Sequence, residues 1–461
     1  MRVSHAAGAV SARFDDPNLV SCAGLAPALS LAQRCGLHDL VAEHVHVRAE
    51  GGANAHVKVP ALVAGMVAGA DCIEDMDLLR HGGMGRLFGG ARAPSTLGTF
   101  LRCFTFGHVR QLDAVASRFV VNLAAHTPLL PGADQLAYVD VDDTMRETHG
   151  YAKQGAGYGY TKVKGLNALI ATVSTPLAAP VIVATRLRKG AVNSVRGAAR
   201  LVTDALVTAR SAGASGLLVL RADSAFYAHD VIAAAARRGA RFSVTARQTP
   251  AVVAAISRID EAAWTPIRYP NAIWDDDEGR WISDAEVAEV PFTAFTGRRA
   301  GEQVTARLIV RRVRRLNPAT APAGQAELFA AYRYHACFTD SPLPMLDAEA
   351  AHRGHAIVEQ VIADLKDSAM AHAPSGRFSA NGAWLVCAAM AFNLTRAVGA
   401  LASTFHAKAR TATIRAQLIA VPARLARSAR RLMVHLPRDW PWEAAWQHLF
   451  TAASAGPPRA A

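Results

Sequence analysis

The sequence has only six cysteines in 461 residues, and no two of them form a CxxC pair. They do not cluster with histidines at zinc-ligand spacing either, which argues against a zinc-binding module. We interpret them as reduced, partly buried core residues of a cytoplasmic protein. A signal peptide is not expected, because Arg13, Asp15 and Asp16 interrupt the N-terminus before any apolar run of sufficient length.

Long hydrophobic runs and acidic residues are both scarce. The most apolar segment, residues 382–392, is bounded by Asn381, Asn393 and Arg396, so it is too short for a membrane span and is predicted to be a buried helix. We therefore expect no membrane partner. Only 37 Asp and Glu stand against 50 Lys and Arg, which leaves a net charge of +13. This excess indicates an anionic partner, and nucleic acid is the usual one.

Two aspartates follow predicted strands. Asp142 lies in YVDVDDT, where LAYVDV alternates with a period of two and places Asp140 and Asp142 on one face. Asp223 ends the run LVLRAD, which is typical of a strand buried on both faces. Ligands of open α/β sheets collect at such strand ends. An aspartate after a strand is also a common helix N-cap, and that interpretation stays open for Asp223.

A third acidic residue belongs to a predicted helix, HRGHAIVEQVIADLK. His352, His355, Glu359 and Lys366 are separated by three, four and seven residues, so they form one polar stripe at the helical period. This spacing places Glu359 and Lys366 on the same face of the helix, so that the carboxylate points in a fixed direction and the lysine can contact a phosphate. The alternative is an ordinary solvated face of an amphipathic helix.

Asp142, Asp223 and Glu359 together predict a metal-dependent nuclease site. Two carboxylates at strand ends and one on a helix are what a pair of divalent cations needs in order to be held over a phosphodiester. We expect Asp142 to bridge two Mg²⁺ ions, with Asp223 and Glu359 each holding one of them, and Mn²⁺ as a substitute. The predicted function is the cutting and joining of DNA.

Two basic tracts offer contacts to a sugar-phosphate backbone. Lys162 and Lys164 lie in a Gly- and Tyr-rich tract after Asp142, where a plain hairpin loop is the alternative. The chain beyond residue 400 is also rich in basic residues that are predicted to be helical and to contact phosphates, with a solvated helix pair as the alternative. They are Lys408, Arg410, Arg415, Arg424, Arg427, Arg430 and Arg431.

Several motifs in a fixed order carry a resemblance to a known family. ADCIEDMDLLR, APSTLGTFLRCFTFGHVRQLD, YVDVDDT, LRADSAF and the E-x6-K of AIVEQVIADLK occur in that order. In this respect the chain resembles the IS1380 family of bacterial insertion-sequence transposases over nearly its whole length. The resemblance implies a DDE transposase with an α/β, ribonuclease-H-like catalytic core, a β-rich insertion and Mg²⁺-dependent chemistry on DNA.

The resemblance also assigns individual residues. Its D-G-T-like triplet points to Asp142 as the first acid, although Asp143 replaces the usual glycine. Its Y-x2-R-x3-E-x6-K pattern is matched at Glu359 and Lys366, whereas His352 and His355 replace the tyrosine and the arginine. A histidine titrates near neutrality, so we predict that one or both contact phosphate only while protonated.

The predicted organisation has five parts. Residues 1–130 form a helical N-terminal DNA-binding region, 131–242 and 339–404 are the two parts of the catalytic core, 243–338 are the β-rich insertion, and 405–461 are a basic C-terminal helical segment. The expected partners are the terminal repeats of the element and target DNA, bound by a homodimer, an expectation that rests on analogy.

Two other functions remain open. A catalytically inactive, transposase-derived repressor would have the same basic surfaces, and only the three acids separate it from the enzyme. A metallohydrolase using His335, His352 and His355 is disfavoured, because HExxH is missing and an H-x2-H spacing on a helix is poor for one metal.

Overall fold

The structure is a computed structural model that describes residues 11–149, 153–159, 162–268, 274–275, 280–281, 285–314, 332–428 and 431–454. The helices in these ranges are α1 (Leu25–Arg34), α2 (Leu37–His44), α3 (Ala55–Ala68), α4 (Met84–Leu87), α5 (Pro94–Arg102), α6 (Phe106–His126), α7 (Ala198–Ser211), α8 (His229–Arg237), α9 (Pro250–Ile256), α10 (Met345–Arg353), α11 (Ile357–Lys366), α12 (Phe378–Ala402), α13 (Thr404–Lys408), α14 (Thr411–Ile414) and α15 (Glu443–Ser454).

The strands in the same ranges are β1 (Leu19–Val20), β2 (Leu136–Glu147), β3 (Gly157–Tyr158), β4 (Lys164–Thr175), β5 (Ala178–Lys189), β6 (Leu217–Ala222), β7 (Arg241–Thr245), β8 (Thr265–Ile267), β9 (Trp274–Asp275), β10 (Arg280–Trp281), β11 (Ala285–Ala294), β12 (Val304–Arg314), β13 (Tyr332–Thr339), β14 (Ala423–Ser428) and β15 (Arg431–His435).

A ten-stranded mixed sheet forms the centre of the fold. Its order is β3, β4, β2, β6, β7, β13, β12, β11, β8, and β5 pairs with β4 as well. β4 runs antiparallel to β2 and β5, whereas β2, β6 and β7 are parallel. Most strands of the β-rich region between residues 243 and 338 belong to the central sheet, because β13 pairs with β7. Only β9 and β10, among the described strands of this region, pair as a separate two-stranded sheet.

The strands that carry the aspartates are shaped by burial. Leu218 to Ala222 of β6 are all buried, as expected for a strand covered on both faces. The apolar residues Ala137, Val139 and Val141 of β2 are fully buried and alternate with polar residues. β6 ends at Ala222, directly before Asp223, as predicted. β2 continues past Asp142 to Glu147, so the prediction that a strand ends before Asp142 is wrong. Asp142 and Asp223 are both partly exposed.

Helix α12 is the central helix of the core. By length and composition it could cross a membrane, but 89% of its most apolar window is buried inside the protein, which confirms the predicted buried helix. Asn393 fixes it to β5, because its side-chain amide accepts from the Ile182 backbone N–H at 2.8 Å and donates to the Ile182 carbonyl at 2.7 Å. Because both the donor and the acceptor of this buried amide are hydrogen-bonded, Asn393 fixes the orientation of α12 relative to β5 in an otherwise apolar contact.

The two ends of the chain meet on this core. α3, α5 and α6 pack against α12, and α15 packs against both α12 and α1. β1 pairs with β14, which pairs with β15 in a three-stranded sheet. The prediction of a wholly helical C-terminal segment is therefore wrong: Ala423 and Leu425 are buried when β14 pairs with β1, and the alternating arginines remain outside.

Candidate active site

Asp142 and Asp223 lie side by side at the point where the parallel pairing of β2 and β6 ends. In the register of β2 and β6, Asp140 faces Arg221 and Val141 faces Ala222, so the next residues along the strands bring the two aspartates together. Asp142 is still within β2, and Asp223 follows β6 directly. Its Oδ1 accepts from the Ala225 N–H at 3.0 Å and caps a short 3-10 turn. The N-cap interpretation and the strand-end interpretation thus both hold for Asp223.

The two carboxylates line an open cleft of about 510 Å³. Its walls come from β2, the β3 hairpin, the loop after β5 and the turn after β6. The lining residues are Asp142, Asp143, Tyr158, Gly159, Ala191, Val192, Asn193, Ser194, Asp223, Ala225 and Arg247. The cleft is therefore polar and contains several groups able to bind a phosphate or a cation.

Burial, with a smaller contribution from the negative charges of Asp223 and Asp143, raises the pKa of Asp142 to about 6, although the Asp143 N–H and His355 act in the opposite direction. Burial likewise raises the pKa of Asp223. A shift of this kind marks carboxylates whose charge is poorly compensated. Such pairs occur at functional sites, where a bound cation supplies the missing charge.

Their neighbours Asp140 and Asp143 are already compensated. Arg221 forms a two-bond ion pair with Asp140, with both N–O distances at 2.7 Å. Arg188 of β5 pairs with Asp143, and Asn167 donates to the same carboxylate at 3.0 Å. Of the three aspartates of β2, only Asp142 has no arginine partner among the described residues, which favours it as the first acid.

Glu359 lies in the first turn of α11 and is exposed. α11 packs against β2, which brings this helix to the strand of Asp142. The oxygen atoms of Asp142, Asp223 and Glu359 do not all lie within 4.8 Å of one another; in the ranges described, such a group of three is found only at Asp71, Cys72 and Asp75, outside this cleft. Two of the three predicted acids, Asp142 and Asp223, therefore line the same cleft. Glu359 is brought near them only by the packing of α11 against β2.

The predicted polar stripe is interrupted before Glu359. α10 ends at Arg353, a 3-10 turn covers Gly354–Ala356, and α11 begins at Ile357. His352 turns away to β7, where its two ring nitrogens lie 2.9 Å from Ser243 Oγ and 3.0 Å from Thr245 Oγ1. Burial lowers the pKa of His352 to about 3. The prediction that a protonated His352 contacts phosphate is therefore wrong, since its ring is neutral and both nitrogens are occupied.

His355 and Lys366 stay close to the acids. His355 Nδ1 lies 3.0 Å from Asp140 Oδ1, and its charge acts on both Asp142 and Asp223. Burial and the positive charge of Arg146 lower the pKa of Lys366, whereas Asp142 raises it. Lys366, Arg146 and Asp142 are thus near one another, in a position that suits a phosphate beside the metal ligands.

A comparison with known families identifies the chain. The sequence model described as transposase DDE domain, group 1, matches residues 4–455. This chain is a member of that family. None of the curated proteins compared with it matches. The transposase family uses acidic residues to hold divalent metal for chemistry on DNA, and this agrees with the cleft at Asp142 and Asp223.

The hairpin of the transposase that carries Lys162 and Lys164 reaches the edge of this cleft. Tyr158 of β3 pairs with Lys164 of β4, and Tyr158 and Gly159 line the cleft. Lys162 is exposed in the connecting turn, with a φ of 58°. The hairpin interpretation is confirmed, and the exposed Lys162 remains available to a DNA backbone that leaves the cleft.

The basic C-terminal residues of the transposase have different roles. Arg410 donates to Asp364 at 2.7 Å, and Arg415 donates to the Val67 carbonyl from a π-helical turn, so both stabilise the fold. Arg424 pairs with Asp16 at 3.1 Å. Arg427 and Arg431 are exposed on the β14–β15 hairpin. Arg430 lies outside the described residues.

Two residues of this site were missed from the sequence alone. Arg247 donates to the carbonyls of Ser224 and Ala225, and its side chain lines the cleft beside Asp223. Arg146 lies on the same face of β2 as Asp142, and its Nε is buried with no hydrogen-bond partner. For Arg146 the alternation 140, 142, 144, 146 was a usable signal; for Arg247 none was present.

Proposed function

We propose that this DDE transposase cuts DNA at the ends of its element and joins the resulting 3′-hydroxyl ends to target DNA. The observation that carries the proposal is the uncompensated pair Asp142 and Asp223 at the floor of an open, polar cleft. Asp140 and Asp143 lie nearby with arginine partners, so the free charge is concentrated on these two residues. Glu359 is the third acid in this proposal.

The proposal extends to the fold and the subfamily. We assign a ribonuclease-H-like core to the strand order β5, β4, β2, β6, β7, in which three antiparallel strands are followed by two parallel ones. The location of β8 to β13 before the helix of Glu359 supports this assignment. The ordered motifs support membership of the IS1380 group. A homodimer on DNA is proposed because two element ends must be held together.

The residues present fit a divalent cation site. Carboxylate oxygens are the ligands that Mg²⁺ prefers, and Mn²⁺ accepts the same set. Asp142 and Asp223 offer such oxygens in an open cleft, and burial raises the pKa of both, an effect that a bound cation would oppose. We propose that Asp142, Asp223 and Glu359 hold the metal. When bound, a pair of such ions activates an attacking water or 3′-hydroxyl and stabilises the leaving oxygen.

The side chains around the acids have their own tasks in this mechanism. Lys366 and Arg146 stand on the side of Asp142 and are proposed to bind a phosphate of the DNA strand. Arg247 stands at the turn of Asp223 and is proposed to contact the strand on the other side. Tyr158, 67% exposed, offers a ring at the rim on which a base can stack.

One observation favours the alternative, an inactive repressor that only binds DNA. Glu359 is exposed, and its carboxylate does not form a closed group of three with the two aspartates. An inactive protein would keep the basic surfaces and bind DNA without cutting it. The enzyme is preferred because Asp142 and Asp223 form no ion pair with an arginine or lysine in the described ranges, and a repressor has no reason to keep two buried carboxylates in that state.

A cleavage assay tests the proposal. A labelled duplex carrying the sequences that flank the coding region of this chain is incubated with the purified protein, with Mg²⁺, with Mn²⁺ or with EDTA. We expect strand cleavage only with metal, and no cleavage by Asp142→Ala, Asp223→Ala or Glu359→Ala. Binding of the same duplex should change little, because phosphate contacts use other residues.

Asp230→Ala is the matched control, since Asp230 is an acidic residue with a 68% exposed side chain outside the cleft lining. It should cleave like the wild type. Binding of the duplex by the wild type without cleavage in Mg²⁺ or Mn²⁺ would favour the repressor. Cleavage that survives one of the three substitutions would remove that residue from the site. The cytoplasmic location stays a prediction, testable by cell fractionation.

A further inference from the structure

A second set of polar residues lies directly behind the proposed metal ligands. Asp140, Arg221 and His355 are joined by hydrogen bonds, with side-chain exposures of 0%, 4% and 14%. Arg221 Nε and Nη2 each donate to Asp140 at 2.7 Å, and His355 Nδ1 lies 3.0 Å from Asp140 Oδ1. None of the three lines the cleft, so they are not expected to touch DNA.

Each member of this network is a fixed step away from one proposed metal ligand. Asp140 precedes Asp142 by two residues in β2, and Arg221 precedes Asp223 by two residues at the end of β6. A step of two along a strand keeps the same face. His355 lies in the 3-10 turn that leads into α11, four residues before Glu359. The network therefore connects β2, β6 and the turn that leads into the helix of Glu359.

Arg221 also reaches the connection between α10 and α11. Its Nη1 donates to the Ala351 carbonyl at 2.5 Å, and its guanidinium lies 4.0 Å from the centre of the Tyr138 ring. A Cβ at Gly354 would lie 2.8 Å from Arg221 Nη1, so a larger residue there would have to displace the guanidinium. One guanidinium thus connects β6 and Asp140 of β2 to the C-terminal part of α10, which precedes the 3-10 turn and the helix of Glu359.

We propose that Asp140, Arg221 and His355 are positioning residues that fix the relative placement of Asp142, Asp223 and Glu359. The inference rests on the proposed function, because it concerns the same metal site. A planar guanidinium that binds a carboxylate through two bonds has one favourable geometry, so it transmits position as well as charge balance. Outer partners of this kind set how well metal ligands are oriented, and losing them typically weakens metal binding about 10- to 100-fold.

The role differs from the phosphate contact predicted for His355. A positioning residue affects the affinity for metal, also without DNA, and leaves DNA binding in EDTA unchanged. A phosphate ligand does the opposite. His355→Arg keeps a donor that can reach Asp140, whereas His355→Ala removes it. Comparing the two variants therefore distinguishes the loss of the hydrogen bond from the mere replacement of the residue.

Binding of Mn²⁺ to the full-length protein, followed by the electron spin resonance signal of the free ion, provides the test. We expect His355→Ala and Asp140→Asn to bind Mn²⁺ about tenfold more weakly than the wild type, and His355→Arg to bind within about threefold of it. Affinity for a duplex of mixed sequence, measured by fluorescence anisotropy in EDTA, should be equal for all of them. Glu286→Gln is the control, since it disturbs the ion pair with buried Arg312. Neither Glu286 nor Arg312 lines the cleft or belongs to the network.

The outcomes separate the two proposals. A wild type that binds no Mn²⁺ overturns the metal site and the positioning role together. A wild type that binds Mn²⁺ and loses it in Asp142→Asn, while His355→Ala and Asp140→Asn bind normally, overturns the positioning role alone. Asp140 is fully buried, so Asp140→Asn is expected to lower stability. If the Asp140→Asn protein does not fold, the His355 variants test the positioning role, because His355 is less buried than Asp140.

Discussion

Asp142 and Asp143 are consecutive residues of β2, yet only Asp143 has an arginine partner among the described residues. Arg188 and Asn167 bind the Asp143 carboxylate, whereas Asp142 Oδ1 accepts a 2.7 Å bond from the Asp143 N–H. Adjacent strand residues point to opposite faces, so the two carboxylates enter different surroundings. One stabilises the fold, and the other stays available for a ligand.

We expect Asp142→Asn to stabilise the metal-free protein at neutral pH. The folded pKa of Asp142 is about 6, above its usual value of 3.8, so the folded state binds the proton more tightly and its stability falls as the pH rises from about 4 to 6. Removing the charge should recover roughly 1 to 2 kcal/mol at pH 7.5 and nothing at pH 4. Thermal unfolding in EDTA at both pH values measures this, and equal melting temperatures at pH 7.5 would contradict it.

Asp143→Asn should have the opposite effect. It leaves the buried Arg188 guanidinium, whose side chain is 6% exposed, without its counter-charge. Breaking a buried pair from one side costs about 3 to 5 kcal/mol. Denaturant unfolding of the Asp142 and Asp143 variants in parallel provides the comparison. A stable Asp143→Asn protein would show that Asn167 and the carbonyls around Arg188 suffice.

His352 is expected to make stability depend on pH in the acid range. Its folded pKa of about 3 lies below the usual 6.5, so its contribution is complete above about pH 6.5 and is lost as the pH falls. Between pH 7 and pH 5 the wild type should lose roughly 2 kcal/mol more than His352→Gln, which does not titrate. Unfolding midpoints at the two pH values test this, and identical pH dependence would exclude His352 as the cause.

Lys366 and Arg146 should matter for DNA and not for the fold. We expect Lys366→Ala and Arg146→Ala each to lower the salt dependence of DNA binding by about one phosphate contact. Lys366→Arg should retain most of the binding, because it keeps the positive charge. Binding of a mixed-sequence duplex is measured at several salt concentrations. Unchanged slopes for both alanine variants would mean that no phosphate binds there.

The exposed arginines of the C-terminal hairpin provide a matched comparison. Arg427→Gln with Arg431→Gln should lower the salt slope by about two without changing the melting temperature. Arg410→Gln should leave the slope unchanged and lower the melting temperature, because Arg410 pairs with the buried Asp364. Salt titrations and thermal unfolding of both proteins distinguish a DNA surface from a structural one. Reversed results would exchange the two assignments.

Much of the site follows from local pattern. Alternation in LAYVDV and the apolar run before Asp223 predicted β2 and β6, because burial of one or both strand faces constrains residue type directly. The sequence by itself determined the buried α12, the basic charge, the candidate acids and, through ordered motifs, membership of a DDE transposase family.

Other features depend on contacts between distant parts of the chain. Arg188 pairs with Asp143, 45 residues away in the sequence, and Arg221 pairs with Asp140, 81 residues away. No local sequence period predicts such pairs. His352 forms hydrogen bonds with Ser243 and Thr245 and so lies off the predicted stripe. Basic C-terminal residues that were predicted to be helical form a strand, because β14 pairs with β1. Only the tertiary structure decided these points, because partner choice and burial depend on which surfaces meet after the chain has folded.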